Sequence, residues 1–136
     1  MLRTSSMLAL GTALTLLGVG TVHAQDGSIP PMVKTQGGVQ YACGGIGSDE
    51  STAMRAAMKD YPLSLLFSTR DGAYLASVDV EIAGSAGSAH FKAQGPICLI
   101  KLPAGPYAVK ATVPGQDSQS RNVTVGGEGK MLDFRY

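Results

Sequence analysis

Residues 97–115 read ICLIKLPAGPYAVKATVPG, and their pattern decides the fold. From Ile97 to Leu102 only Lys101 interrupts a run of hydrophobes, the composition of a strand covered on both faces. Pro103, Gly105 and Pro106 then break the chain. Beyond them Tyr107, Val109, Ala111 and Val113 alternate with Ala108, Lys110 and Thr112. A period of two, with one face polar, is the signature of a half-buried strand rather than a helix.

The same punctuation extends in both directions. Downstream, PGQD (114–117) is a turn, Val123 and Val125 alternate with Asn122 and Thr124, and GGEGK (126–130) leads to Leu132, Phe134 and Tyr136. Upstream, Ala89, Phe91 and Ala93 alternate with His90, Lys92 and Gln94, and Val78, Val80 and Ile82 with Asp79 and Glu81. Leu63, Leu65 and Phe67 form another alternation, closed by the turn RDGAY (70–74). Short strands separated by turns every eight to twelve residues or so predict a mostly β protein, a β-sandwich or barrel. Val39, Tyr41 and Cys43 add a short strand before it.

One segment departs from this period. In STAMRAAMKDY (51–61), Met54, Ala57, Met58 and Tyr61 fall at i, i+3, i+4 and i+7, which predicts an amphipathic helix over about 49–60. Ser48 or Asp49 can cap it, and Asp49 and Glu50 favour the positive end of its dipole. Pro62 stops it. Leu65 and Leu66 are both apolar, as are Leu99 and Ile100, so one sheet has an apolar outer face. The helix is expected to cover that face through Met54 and Met58.

The first 24 residues have the form of a secretory signal peptide. Arg3 is the basic n-region, 7–22 is uncharged and apolar, and Val22 and Ala24 supply small residues before a cleavage site after Ala24. A periplasmic or secreted location follows, with no stable membrane insertion once the signal is removed. Residues 25–37, polar and carrying Pro30 and Pro31, read as a flexible leader, and 38–136 as the domain. Setting Arg3 aside, ten basic and ten acidic residues balance. No basic stripe exists to grip nucleic-acid phosphates. The two cysteines, Cys43 and Cys98, would travel to an oxidising compartment, where a disulfide is favoured over a reactive thiol. With one histidine beyond residue 24, His90, they make a poor zinc set. No cofactor is expected.

The loop GGIG (44–47) before the helix resembles a phosphate cradle at first sight. A nucleotide loop wants Lys and Ser or Thr after its last glycine. Here Ser48, Asp49 and Glu50 follow, and two acids repel phosphate. Gly44, Gly45, Gly47, Asp49 and Glu50 therefore form either a backbone turn with a self-satisfied helix end or an interaction loop for a partner's basic group or a cation. Asp79 and Glu81, about 7 Å apart on one strand face, read as surface charges of a wet sheet. His90 lies on the outward parity of its strand.

The segment LPAGPYAVKATVPG (102–115) resembles the Leu-Pro-x-Gly-x-Tyr-x-Val-x-Ala stretch of carboxypeptidase regulatory-like domains, and this resemblance implies their transthyretin-like (prealbumin-like) fold, a seven-stranded-type antiparallel β-sandwich. VDVEI (78–82), AHFKAQG (89–95) and ICLIKL (97–102) fall in the strand order of that family, and the resemblance spans 63–136. YACGGIGSDE (41–50) and LSLLFSTRDGAYLASVDVEI (63–82) look like a group of small exported bacterial proteins that bear this domain. Both cysteines stand where that family has ordinary small or apolar residues. Hydroxyisourate hydrolases share the fold but carry several histidines and a terminal Tyr-Arg-Gly-Ser, whereas this chain ends Phe134-Arg135-Tyr136. The favoured reading is a non-catalytic exported module that binds a protein, envelope polymer or small ligand through loops or a sheet edge. Two alternatives stand beside it: a hydrolase of unfamiliar type using Asp49, Glu50 or His90, and a structural subunit that dimerises through an edge strand.

Overall fold

The computed structural model describes residue 18 and residues 33–136. The expected signal peptide, Gly18 apart, and the leader as far as residue 32 lie outside the described residues. The chain runs β1 (Lys34–Gln36), β2 (Val39–Gly44), α1 (Ser48–Ala57), a 3-10 turn (Met58–Asp60), β3 (Leu63–Ser68), β4 (Val78–Ala83), β5 (Ser88–Ala93), β6 (Ile97–Lys101), β7 (Gly105–Thr112), β8 (Gln119–Val125) and β9 (Lys130–Arg135). Two sheets form, a five-stranded one in the order β1-β2-β6-β3-β9 and a four-stranded one in the order β5-β4-β7-β8. This is the expected sandwich with a single helical segment.

The alternating residues meet between the sheets. Leu63, Leu65 and Phe67 face Val80, Ile82, Val109 and Ala111, and each of these seven is no more than 1% exposed. At roughly 25 cal/mol per Å² of apolar surface removed from water, this layer is the main favourable term in the fold. Phe67 stacks on Phe134, with ring centroids 5.6 Å apart. On the outward parities, Leu66 of β3 and Ile97 and Leu99 of β6 are apolar too. There Met54 of α1 packs with Leu66, Ile97 and Leu99 as a second buried cluster, flanked by Ala57, Met58 and Tyr61. The helix thus lies on the outer face of the five-stranded sheet, as its stripe predicts.

Three details differ from the sequence reading. Lys34–Gln36, read as part of the leader, is a strand, because a turn at Gly37 and Gly38, both at positive φ, folds it back antiparallel on β2. With β1 counted, the described residues hold nine strands, one more than the eight alternating segments of the sequence. One pairing is parallel: β9 runs beside β3 from Leu63↔Lys130 to Ser68↔Arg135. The chain reaches β9 from the four-stranded sheet at the end where β3 begins, so it has to run in the same direction.

Cys43 and Cys98 are directly opposed in the β2–β6 ladder and form a disulfide, with Cα atoms 4.1 Å apart and 55 positions between them in sequence. Their side chains lie with the inner core. The two open sides of the sandwich are each spanned by a glutamine. Gln36 Oε1 of β1 accepts from the His90 amide of β5. Gln119 Nε2 of β8 donates to the Arg135 carbonyl of β9 at 2.6 Å.

Candidate functional site

The loops after β2, β3 and β5 gather at one end of the sandwich, where α1 also begins. The glycines of 44–47 divide into two kinds there. Gly44 and Gly45 are buried packing positions. A Cβ on Gly45, which has φ +93°, would sit 3.0 Å from Ile97 Cδ1, and one on Gly44 would collide with the Glu50 carboxylate. Gly95, in the next loop, passes so close to Gly44 that a Cβ there would lie 2.7 Å from the Gly44 Cα. A Cβ on Gly47 would meet nothing; this residue has an ordinary φ of −74° and occupies the N-cap of α1.

Neither Ser48 nor Asp49 caps the helix, as the sequence suggested; no side chain does. Glycine at the cap brings α1 in one residue earlier, and Asp49 and Glu50 occupy its first turn, where they complement the dipole. This leaves Ile46, 69% exposed, at the crest of the loop.

Beside it stands a group that the sequence reading treated only as a turn. Tyr74, 47% exposed, is the aromatic tip of the β3–β4 loop. Its hydroxyl accepts from Arg55 Nη2 at 2.6 Å and from Ser51 Oγ at 3.5 Å. The Arg55 guanidinium carbon is also 5.4 Å from the centre of the ring. Ser51 and Arg55 are one helical turn apart, so both reach Tyr74 from the same face of α1. The Ser51 hydrogen bond first, then that of Arg55, holds the Tyr74 phenol below its ordinary value, and the charge of Arg55 adds to this.

The loop behind Tyr74 is tied down from within. Thr69 exchanges backbone bonds with Ala73 and Gly72, at 2.8 and 3.0 Å, and its hydroxyl accepts from the Ala73 amide at 3.1 Å. The same hydroxyl donates to Asp71, and this bond, with one from the Asp71 backbone, lowers the carboxyl below its usual range. Gly72 turns the chain at φ +92°. Ser68 and Tyr74 form an isolated bridge, which fixes the ring against α1. An aromatic inside a tight polar turn was the one signal in the sequence for this arrangement.

The remaining candidates are dispersed. His90 is on the outer face of the four-stranded sheet, opposite in register to Glu81, which is also opposite Lys110. Asp79 is opposite Lys92. Opposite charges across strands stabilise a solvated sheet face. Asp49 and Glu50 belong to the helix on the other sheet, so the structure does not unite them with His90 in one site. Among the described residues, no group of three His, Cys, Asp or Glu could hold a metal ion. No described helix is long and apolar enough to cross a membrane. No family model matches the chain, and no curated protein matches it.

Proposed function

We propose that this protein is a non-catalytic exported module of the carboxypeptidase regulatory-like type, which binds an envelope protein through the loop end of its sandwich. The observation that carries the reading is the exposed Tyr74 ring, held by Arg55 and Ser51 on a loop braced by Thr69. Tyrosine and arginine are the residues most enriched at binding hot spots, and a loop ordered in advance loses little entropy on binding. Ile46 supplies apolar surface next to the helix start, and Asp49 supplies charge at the rim. The glutamine bonds on both open sides favour loops over sheet edges as the contact. They also weigh against the edge-dimer alternative.

The test is capture from a periplasmic extract on the immobilised oxidised protein, with Ile46→Asp, Tyr74→Ala and Arg55→Ala in parallel. A partner retained by the wild type should be lost from all three variants while their melting temperatures stay close to it. Removing a hot-spot aromatic weakens a complex about 30-fold or more. Equal retention by Lys110→Glu, on the far sheet face, completes the expected result. A partner that survives all three loop-end changes would refute the assignment.

A further inference from the structure

A second site lies at the opposite end of β3 and is independent of the loop-end reading. Helix α1 covers β2 and β6 and ends in the 3-10 turn, beside the start of β3 and β9. A groove of about 340 Å³ runs there between Met58 and Lys59 on one side and Gly129, Lys130 and Met131 on the other, with Ser64 at its floor. This is the lower end of the size range of small-molecule sites.

The floor is unusual. Ser64 is 1% exposed, and its hydroxyl has no hydrogen-bond partner. Its neighbours on the outer face, Leu66 and Leu99, are apolar and buried. A buried hydroxyl without a partner opposes folding, and a ligand that accepts from it removes that penalty. The groove is also kept to shape. A Cβ on Gly129 would lie 2.8 Å from the Tyr61 carbonyl, and Lys130 donates its amide to the Pro62 carbonyl at 3.0 Å. The β8–β9 turn is thereby fixed against the end of the helical segment.

We infer that this groove is a binding site for a small aliphatic carboxylate. The carboxylate accepts from the Ser64 hydroxyl, the alkyl part lies against Met58 and Met131, and Lys59 supplies the positive charge. No acid lines the groove. Asp133, further along β9 on the same face, has Oδ2 engaged by Arg135 at 3.0 Å and Oδ1 buried without a partner. A cationic ligand would meet Lys59, and a neutral one would leave its charge unused. Methionine side chains suit an alkyl chain because they adapt to it without strain.

Octanoate is the probe, titrated into the isotope-labelled oxidised protein and followed by amide chemical shifts. Saturable shifts are expected at Met58, Lys59, Ser64 and 129–131, and octanol should give much weaker ones. Ser64→Ala, which removes only the hydroxyl, should weaken octanoate at least about tenfold, the value of one charge-assisted hydrogen bond. Met131→Glu, at a 55% exposed position that the fold does not depend on, should weaken it as well and serves if the alanine variant misfolds. The proposal fails if octanoate leaves these amides unmoved, if its shifts map elsewhere, or if both variants bind as the wild type does.

Discussion

One substitution, methionine to alanine, samples three depths of the same outer face and measures how firmly the helix is docked. Met54 is 3% exposed within the cluster of Leu66, Ile97 and Leu99, Met58 is half-buried at its margin, and Met131 is 55% exposed on β9. Truncating a buried methionine removes transfer energy and leaves a cavity, so Met54→Ala should cost about 3 kcal/mol. Met58→Ala should cost about 1 kcal/mol and Met131→Ala less than about 0.5 kcal/mol. The better helix propensity of alanine offsets only a few tenths of a kcal/mol at the two helical positions. For a domain of this size, the Met54 variant should melt about 12–24 °C below the wild type. Thermal unfolding of the oxidised protein, followed by circular dichroism, provides the assay. Near-equal melting of the Met54 and Met131 variants would refute the docking of α1. A negative charge at the margin, Met58→Asp, should also destabilise the protein rather than merely alter its surface.

Other expectations test separate parts of the structure. Replacing Cys43 and Cys98 by alanine should lower stability by up to about 4 kcal/mol, the loop-entropy limit for a closed loop of about 55 residues; an unchanged urea midpoint would mean that the bridge constrains nothing. Gly95→Ala should cost about 1–3 kcal/mol, because the new methyl meets the backbone of Gly44, whereas Gly47→Ala should unfold like the wild type; the reverse order would overturn the division of the glycines. In an ultraviolet titration Tyr74 should ionise before Tyr107 and Tyr136, because hydrogen bonds from Ser51 and Arg55 lower it and burial raises them. Ser51→Ala or Arg55→Ala should return Tyr74 towards its ordinary 10.0. The sign for stability follows. Tyr107 and Tyr136 have folded values above the unfolded 10.0, so their contribution is intact below pH 10.0 and is lost as pH rises through the raised values. Stability that increased above pH 10.0 would contradict their burial.

The sequence revealed the sandwich because its strands carry the pattern of a one-sided core. Val78, Val80 and Ile82 alternate strictly, and the structure buries each of them. Where a strand is apolar on both faces, as at Leu65 and Leu66, the excess hydrophobe itself pointed to a covering element, and α1 supplies it. The strand Lys34–Gln36 escaped notice since its three residues are exposed and polar. Only its backbone bonds place it, and those leave no trace in composition. The Tyr74 site was illegible for a related reason: Ser51, Arg55 and Tyr74 meet through tertiary contact across 19 and 23 positions, with no local period to mark it. The unpartnered Ser64 was hidden as well. Alternation puts it on the outward face of β3, which usually means water, but here it is 1% exposed.

The two glutamines that span the sides have a consequence for how the molecule behaves in crowded surroundings. A bare sheet margin is a template on which a second chain can be laid down, and repetition of that step builds fibrils. In this protein the His90 amide and the Arg135 carbonyl, one on each flank, are already occupied by Gln36 and Gln119. Growth by strand accretion would first have to prise away a side chain at either flank. Replacing either glutamine by alanine would then turn a self-contained particle into a seed, an effect visible in its shelf life long before it was visible in its melting temperature.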